Sequence, residues 1–174
     1  MKKLYWLFIG AVLVVFSVFL ITDYVNEVES EEKLPLQSSL GNHLYNFLHT
    51  YEDVAEAPAS LDIDVLKDLN EKLSVAGKHA VKIDELVNEN LLVPINDNVL
   101  HILSDIEKNY HENSEFSPKD KENYKAVLAE TNNIIDQIYD VYYILNSEAT
   151  AKLEIDDFTE LIKINKRLDS IERK

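Results

Sequence analysis

The sequence predicts an all-α protein in which one N-terminal transmembrane helix precedes an antiparallel four- or five-helix bundle. Three observations carry that expectation. Residues Leu4 to Thr22 form an unbroken uncharged run. The remainder of the chain repeats apolar residues at alternating steps of three and four, the spacing of one helix face. Glycine and proline are scarce, three and four in 174 residues, and the prolines fall between the periodic stretches.

The opening run, LYWLFIGAVLVVFSVFLIT, would extend roughly 28 Å as a helix at ~1.5 Å per residue, close to the ~30 Å hydrocarbon thickness of a bilayer. A helix at the surface of a soluble core shows a polar stripe, whereas only Gly10, Ser17 and Thr22 interrupt the apolar character here. The run is longer than the apolar part of a secretory signal. It is followed by Asp23, Tyr24 and Val25, with no small-x-small cleavage site. An uncleaved signal anchor over residues 4–22 is therefore expected, with residues 1–3 as a short cytoplasmic tail. Lys2 and Lys3 favour the cytoplasmic side, and Asp23, Glu27, Glu29, Glu31 and Glu32 crowd the other. Residues 23–35 then read as an acidic juxtamembrane linker and residues 36–174 as an extracytoplasmic bundle. Gly10 and Ser17 stand seven apart, so the anchor carries no small-xxx-small pairing motif.

Residues 36–55 predict a short helix that turns Leu40, Leu44, Phe47, Leu48 and Tyr51 inward and ends in the turn-like EDVAEAPAS. In the next segment Leu66, Leu69, Leu73, Ala76, Ala80, Ile83 and Val87 share one stripe, with Lys67, Asp68, Glu71, Lys72, Lys78 and Lys82 toward water. Ile95, Val99, Ile102 and Ile106 repeat the scheme. The longest stripe runs through Tyr124, Leu128, Thr131, Ile135, Ile138, Tyr142 and Leu145. It opens with a helix-start signature: Ser117 as the cap, Pro118 at the first helical position and Asp120 where a capping-box acid belongs. The last helix carries Phe158, Leu161, Ile164, Leu168 and Ile171. Glu154, Asp156 and Asp157 at its start and Arg167, Arg173 and Lys174 at its end complement the helix dipole. No segment alternates with period two between turn residues, so no strands are expected.

All 32 acidic residues and 15 of the 17 basic ones follow residue 22, a net charge of −17 for that portion. Such a charge disfavours nucleic acid and anionic lipid surfaces, and favours cations or a basic patch on a partner. With no cysteine, disulfides, lipidation of a cysteine and thiol chemistry are excluded. The basic start, the single anchor and the wealth of Lys, Asn, Ile and Glu suggest a bacterial cell-membrane protein.

Candidate chemistry is sparse. Asp97, His101 and Asp105 stand four apart and would share a helix face, a weak candidate metal site. Acids near a helix start are common, however, and no Glu-x-x-His of the di-metal bundles occurs. Glu107 and His111 are also four apart, His43 and His49 fall on rather different faces, and His79 lies beside the core stripe as a boundary residue. No His-Glu-x-x-His, phosphate loop or nucleophile elbow is present, so neither an enzyme nor a cofactor is expected; a metal-dependent hydrolase is a distant alternative. Asp136, Tyr139, Asp140 and Tyr143 form a candidate ligand or interface surface, with Tyr139 and Tyr143 four apart beside the core stripe. Thr131 on that stripe reads as a tolerated hydroxyl.

The expected function is that of a non-enzymatic interaction protein, attached to the membrane through Leu4 to Thr22. Its outer bundle would contact another envelope protein or a second copy of itself. The alternative is a bundle that binds a small molecule or cation outside the membrane and signals through a partner.

Overall fold

A computed structural model describes residues 36–145, 150–155 and 157–172. The chain divides into two units, Met1–Gln37 and Ser38–Lys174, and only the last two positions of the first are among the described residues. The anchor expected at Leu4 to Thr22 and the linker expected over 23–35 lie outside them. Among the described helices none is long and apolar enough to cross a membrane.

The second unit is a helical bundle. Its elements are α1 (36–55), α2 (Ile63–Val87), α3 (Leu92–Asn113) and α4 (Pro118–Val141), then a hairpin of β1 (Tyr142–Leu145) and β2 (Thr150–Leu153), and finally α5 (Thr159–Glu172). Side-chain contacts show that α1, α2 and α3 run in alternating directions. His43 and Asp53 of α1 meet His79 and Lys72 of α2, and Asp84 and Asn70 of α2 meet Leu92 and Glu107 of α3. As residue numbers rise along one helix they fall along its neighbour.

The apolar stripes become the core. Leu40, Leu44, Phe47, Leu48 and Tyr51 are buried on α1, joined by Val54 from the stretch read as turn-like. On α2 the stripe from Leu66 to Ile83 is buried throughout, with Val87 half-buried at its end. Ile95, Val99, Ile102 and Ile106 are buried on α3 and Leu161, Ile164 and Leu168 on α5.

The α4 stripe departs from expectation. Tyr124, Val127, Thr131, Ile134, Ile138 and Val141 are the buried residues, while Leu128 and Ile135 are only half-buried. Val127 beside Leu128 and Ile134 beside Ile135 make two apolar rows, so the period fixes the spacing of the face but not its rotation. The Thr131 hydroxyl donates to the Val127 carbonyl at 2.9 Å, which satisfies it inside the helix.

The expectation of no strands also fails. α4 stops at Val141, and Tyr142 turns to extended backbone (φ −109°, ψ 128°) while its N–H still donates to the Ile138 carbonyl. Tyr142 pairs with Leu153 and Leu145 with Thr150 in an antiparallel ladder. Tyr-Tyr-Ile-Leu favours strand over helix at a helix end, where aromatic and β-branched side chains lose least in extended backbone. The Glu154 N–H then donates to the Val141 carbonyl at 2.8 Å, closing the hairpin against the end of α4. As a result α5 begins at Thr159, beyond the acids expected to open it. Asp157 instead accepts the Thr159 N–H at 3.0 Å from just outside the helix. Arg167 does not serve the helix end but binds Glu130 of α4 through two hydrogen bonds of 2.6 and 2.9 Å.

The α4 start is built as expected. The Asp120 N–H donates to Ser117 Oγ at 3.1 Å, and the Ser117 N–H donates to Asp120 Oδ2 at 2.8 Å. Asn109 of α3 adds a 2.9 Å bond to the same carboxylate. Burial pushes that carboxyl up, but the bonds from Asn109 and Ser117 outweigh it and hold Asp120 below the usual range.

The α2–α3 corner carries the most demanding polar group. Leu91, the cap residue of α3, supplies no side-chain hydrogen bond to the helix start. Asp84, buried near the end of α2, takes that role from another helix. The N–H groups of Leu91, Leu92 and Val93 donate to its carboxylate at 3.1, 3.1 and 2.9 Å. Burial nevertheless raises the Asp84 pKa against the opposing pull of those donors. One helical turn deeper, buried Asn96 donates through Nδ2 to the Leu73 carbonyl at 3.2 Å, and its Oδ1 faces the Tyr51 hydroxyl at 3.4 Å. A Cβ at Gly77 would lie 2.9 Å from Asn96 Nδ2, so a hydrogen at position 77 admits the amide between α2 and α3.

Two outcomes follow from this corner. Asp84→Ala should lower the unfolding free energy by about 2 kcal/mol by stranding buried N–H groups; an unchanged urea midpoint of the full chain would mean that the three bonds contribute nothing. Gly77→Ala should fail to gain the ~1 kcal/mol that alanine usually gives a helix interior, yet gain it once Asn96 is also alanine. Equal effects in both backgrounds would dissociate Gly77 from Asn96.

Candidate functional site

The residues expected to bear chemistry lie mostly at the surface. On α3, His101 Nε2 is 3.9 Å from Asp105 Oδ2, and both side chains are about half exposed, at 52% and 53%. Asp97 is exposed one turn earlier. Among the described residues no three His, Cys, Asp or Glu side chains converge on one metal-sized point, so these three are not brought together as a ligand set. Glu107 and His111 do approach, at 3.6 Å, and Glu107 also accepts a 2.6 Å bond from Asn70 of α2.

Three of the four residues of the candidate surface belong to α4. Asp136, Tyr139 and Asp140 lie on one exposed face, Tyr139 with 49% of its surface open to solvent. Gln137 donates to Asp140 Oδ2 at 3.2 Å along the same helix. Tyr143 lies beyond the end of α4, and its backbone pairs with Lys152 across the hairpin. The expected four-residue spacing between Tyr139 and Tyr143 holds only for a continuous helix. Tyr142 is fully buried, and its hydroxyl has no hydrogen-bond partner among the described residues. Burial, then the nearby charges of Asp84 and Glu89, push this phenol far above its ordinary range.

Two open clefts mark the ends of α2. One of about 480 Å³ lies outside the α2–α3 corner, where Asp84, Glu85 and Glu89 stand with Asn88, Asn90 and two valines. The other, about 360 Å³, lies by the α1–α2 turn, where Lys72 bridges Asp53 and Asp68 at 2.9 and 3.0 Å. These two bonds raise the Lys72 pKa, Asp53 first. Each cleft therefore carries a counter-ion: Lys72 in the second, and in the first Lys82, which binds Glu85 at 2.6 Å from beside the lining and leaves Asp84 and Glu89 without a Lys or Arg among the described lining residues.

A further cluster pairs two residues that spacing alone keeps apart. His43 of α1 and His79 of α2 bring their Nδ1 atoms within 2.9 Å, with ring centroids 5.2 Å apart and planes tilted by 49°. One Nδ1 donates and the other accepts, so the two neutral rings hold one proton between them and adopt opposite tautomers. Both residues are half-buried. Burial, and then the neighbouring His43, lower the His79 pKa. His79 was expected at the core boundary and is found there. Its partner lies 36 positions earlier on another helix, and only the register of α1 against α2 brings the two together.

No protein-family model, curated protein or solved structure matches this chain.

A depressed imidazole pKa adds stability above the unfolded value near 6.5 and loses it as pH falls through the lowered folded value. The wild-type chain should thus lose more stability between about pH 7 and pH 5 than His79→Gln does. Parallel curves of urea midpoint against pH for the two proteins would show that the pair does not couple folding to protons.

Proposed function

We propose that this chain is a single-pass protein of a bacterial cell envelope whose outer helical bundle works by protein–protein contact and not by catalysis. The observation that carries the reading is Tyr139, half exposed between Asp136 and Asp140 on the polar outer face of α4. An aromatic ring with no core to fill contributes most when a partner covers it, and tyrosine is among the residues that dominate interface energetics. The carboxylates beside it, within a portion of net charge −17, select a partner with a basic patch. That same charge sets two copies of this face against each other, so a different envelope protein fits better than self-association. The uncharged run from Leu4 to Thr22 supports attachment to the membrane, with the acidic flank outside.

A second reading, small-cation or small-molecule binding with a signal passed through a partner, is favoured by one feature: the cleft at the α2–α3 corner, which bears Asp84 and Glu89 beside a Glu85 already paired with Lys82.

Crosslinked co-purification of the full-length protein from its native membranes separates the two. Contact by the α4 face predicts a stoichiometric envelope protein that is retained when the anchor is exchanged and lost when residues 36–174 are removed. Tyr139→Ala should weaken that complex by about 30-fold, the effect of an interface anchor worth ~2 kcal/mol. Recovery of the chain alone, with a melting temperature raised by one cation or metabolite, would replace contact by ligand binding.

A further inference from the structure

We propose that His43 and His79 form a binding site for a nitrogen-preferring divalent transition-metal ion, Cu(II) foremost, which clips α1 to α2. The inference starts from the distance between the two Nδ1 atoms, 2.9 Å. Two imidazole nitrogens bound at about 2.0–2.1 Å to one ion stand about 2.9 Å apart at a right angle and about 3.3–3.4 Å apart at the tetrahedral angle. The observed spacing is already that of two neighbouring ligands in a square-planar or octahedral ion. Tetrahedral zinc would require the helices or rings to open by several tenths of an ångström. Imidazole suits copper, nickel and zinc, and copper stands highest among the divalent ions for nitrogen ligands.

The surroundings fit a two-histidine clip. The two rings come from separate helices, so each is placed by its own backbone and the pair exists only in the folded bundle. Both are half-buried, which leaves an open side where water completes the coordination sphere. Among the described residues no third His, Cys, Asp or Glu joins them, so the site is open and exchangeable, unlike a closed structural centre. The strongly acidic chain raises the local concentration of any cation. Binding balances without net proton release at neutral pH. The proton shared between the rings leaves Nδ1, the same imidazole takes one from water at Nε2, and both Nδ1 lone pairs turn to the metal. At acid pH the ion must displace protons and affinity falls.

The test is titration of the full chain in detergent with Cu(II), Ni(II), Zn(II) and Ca(II). Calorimetry gives affinity, and electron paramagnetic resonance of the copper form reports its nitrogen ligands. One copper per chain with two nitrogens in its plane, weakened at least tenfold by His43→Gln and by His79→Gln but not by His101→Gln, is the expected result. Copper should also raise the melting temperature of the wild type and not of either variant. Should a variant misfold by circular dichroism, the nitrogen count and melting shift of the wild-type copper form still decide. Equal copper affinity in wild type and folded double variant, equal binding by the urea-unfolded chain, or a copper form with no paired nitrogens would overturn the site.

Discussion

The bundle turns on one buried carboxylate. Asp84 sits near the end of α2 and satisfies three amides that open α3, so the end of one helix becomes the cap of the next. A helix start without a cap exposes donors that need water, yet Leu91 and Leu92 are buried. The apolar corner can close only because the acceptor comes from across the turn. Once that corner is set, the antiparallel register of α2 and α3 follows. Asn96 then falls opposite Gly77, and the stripes of the two helices interlock. The carboxylate does this against its own desolvation, which is why its pKa stays raised while three donors point at it.

Helix number, the faces of α1, α2, α3 and α5 and the start of α4 were legible in the sequence, because each rests on local rules. Apolar steps of three and four select a face, and Ser117 with Asp120 writes a cap three residues long. The end of α4 was not legible. Tyr142 and Leu145 extend the same 3-4 spacing, so periodicity continues where the backbone does not, and only the pairing with Leu153 and Thr150 decides for extended chain. The rotation of α4 was hidden for a related reason: adjacent apolar residues at 127–128 and 134–135 allow two phases, and the neighbours choose. No local pattern singles out Asp84. Its role depends on a reversal of the chain that no spacing rule encodes.

The candidate sites divide along the same line. Asp136, Tyr139 and Asp140 share a face as a helix requires, and Tyr143 falls beyond the end of that helix. His101 and Asp105 are neighbours along α3, but closeness within one helix does not bring ligands in from a second direction. His43 and His79 are joined by tertiary register alone. In a bundle whose interior is filled by aliphatic and aromatic side chains, the chemistry is left at seams between helices and on outer faces. The acidic cleft, the imidazole pair and the exposed tyrosine all lie there.

The turns that close α2 and α3 bear on a different property. Asn88 and Ser114 hold φ at +55° and +58°, the left-handed region where a side chain is strained and glycine is not. Asparagine tolerates that geometry; serine does so less well. The left-handed conformation costs an L-residue roughly 1–2 kcal/mol, of which the greater freedom of an unfolded glycine would take back roughly 0.5–1 kcal/mol. Glycine at either turn would thus release part of that strain, so the bundle holds thermal headroom in these two joints.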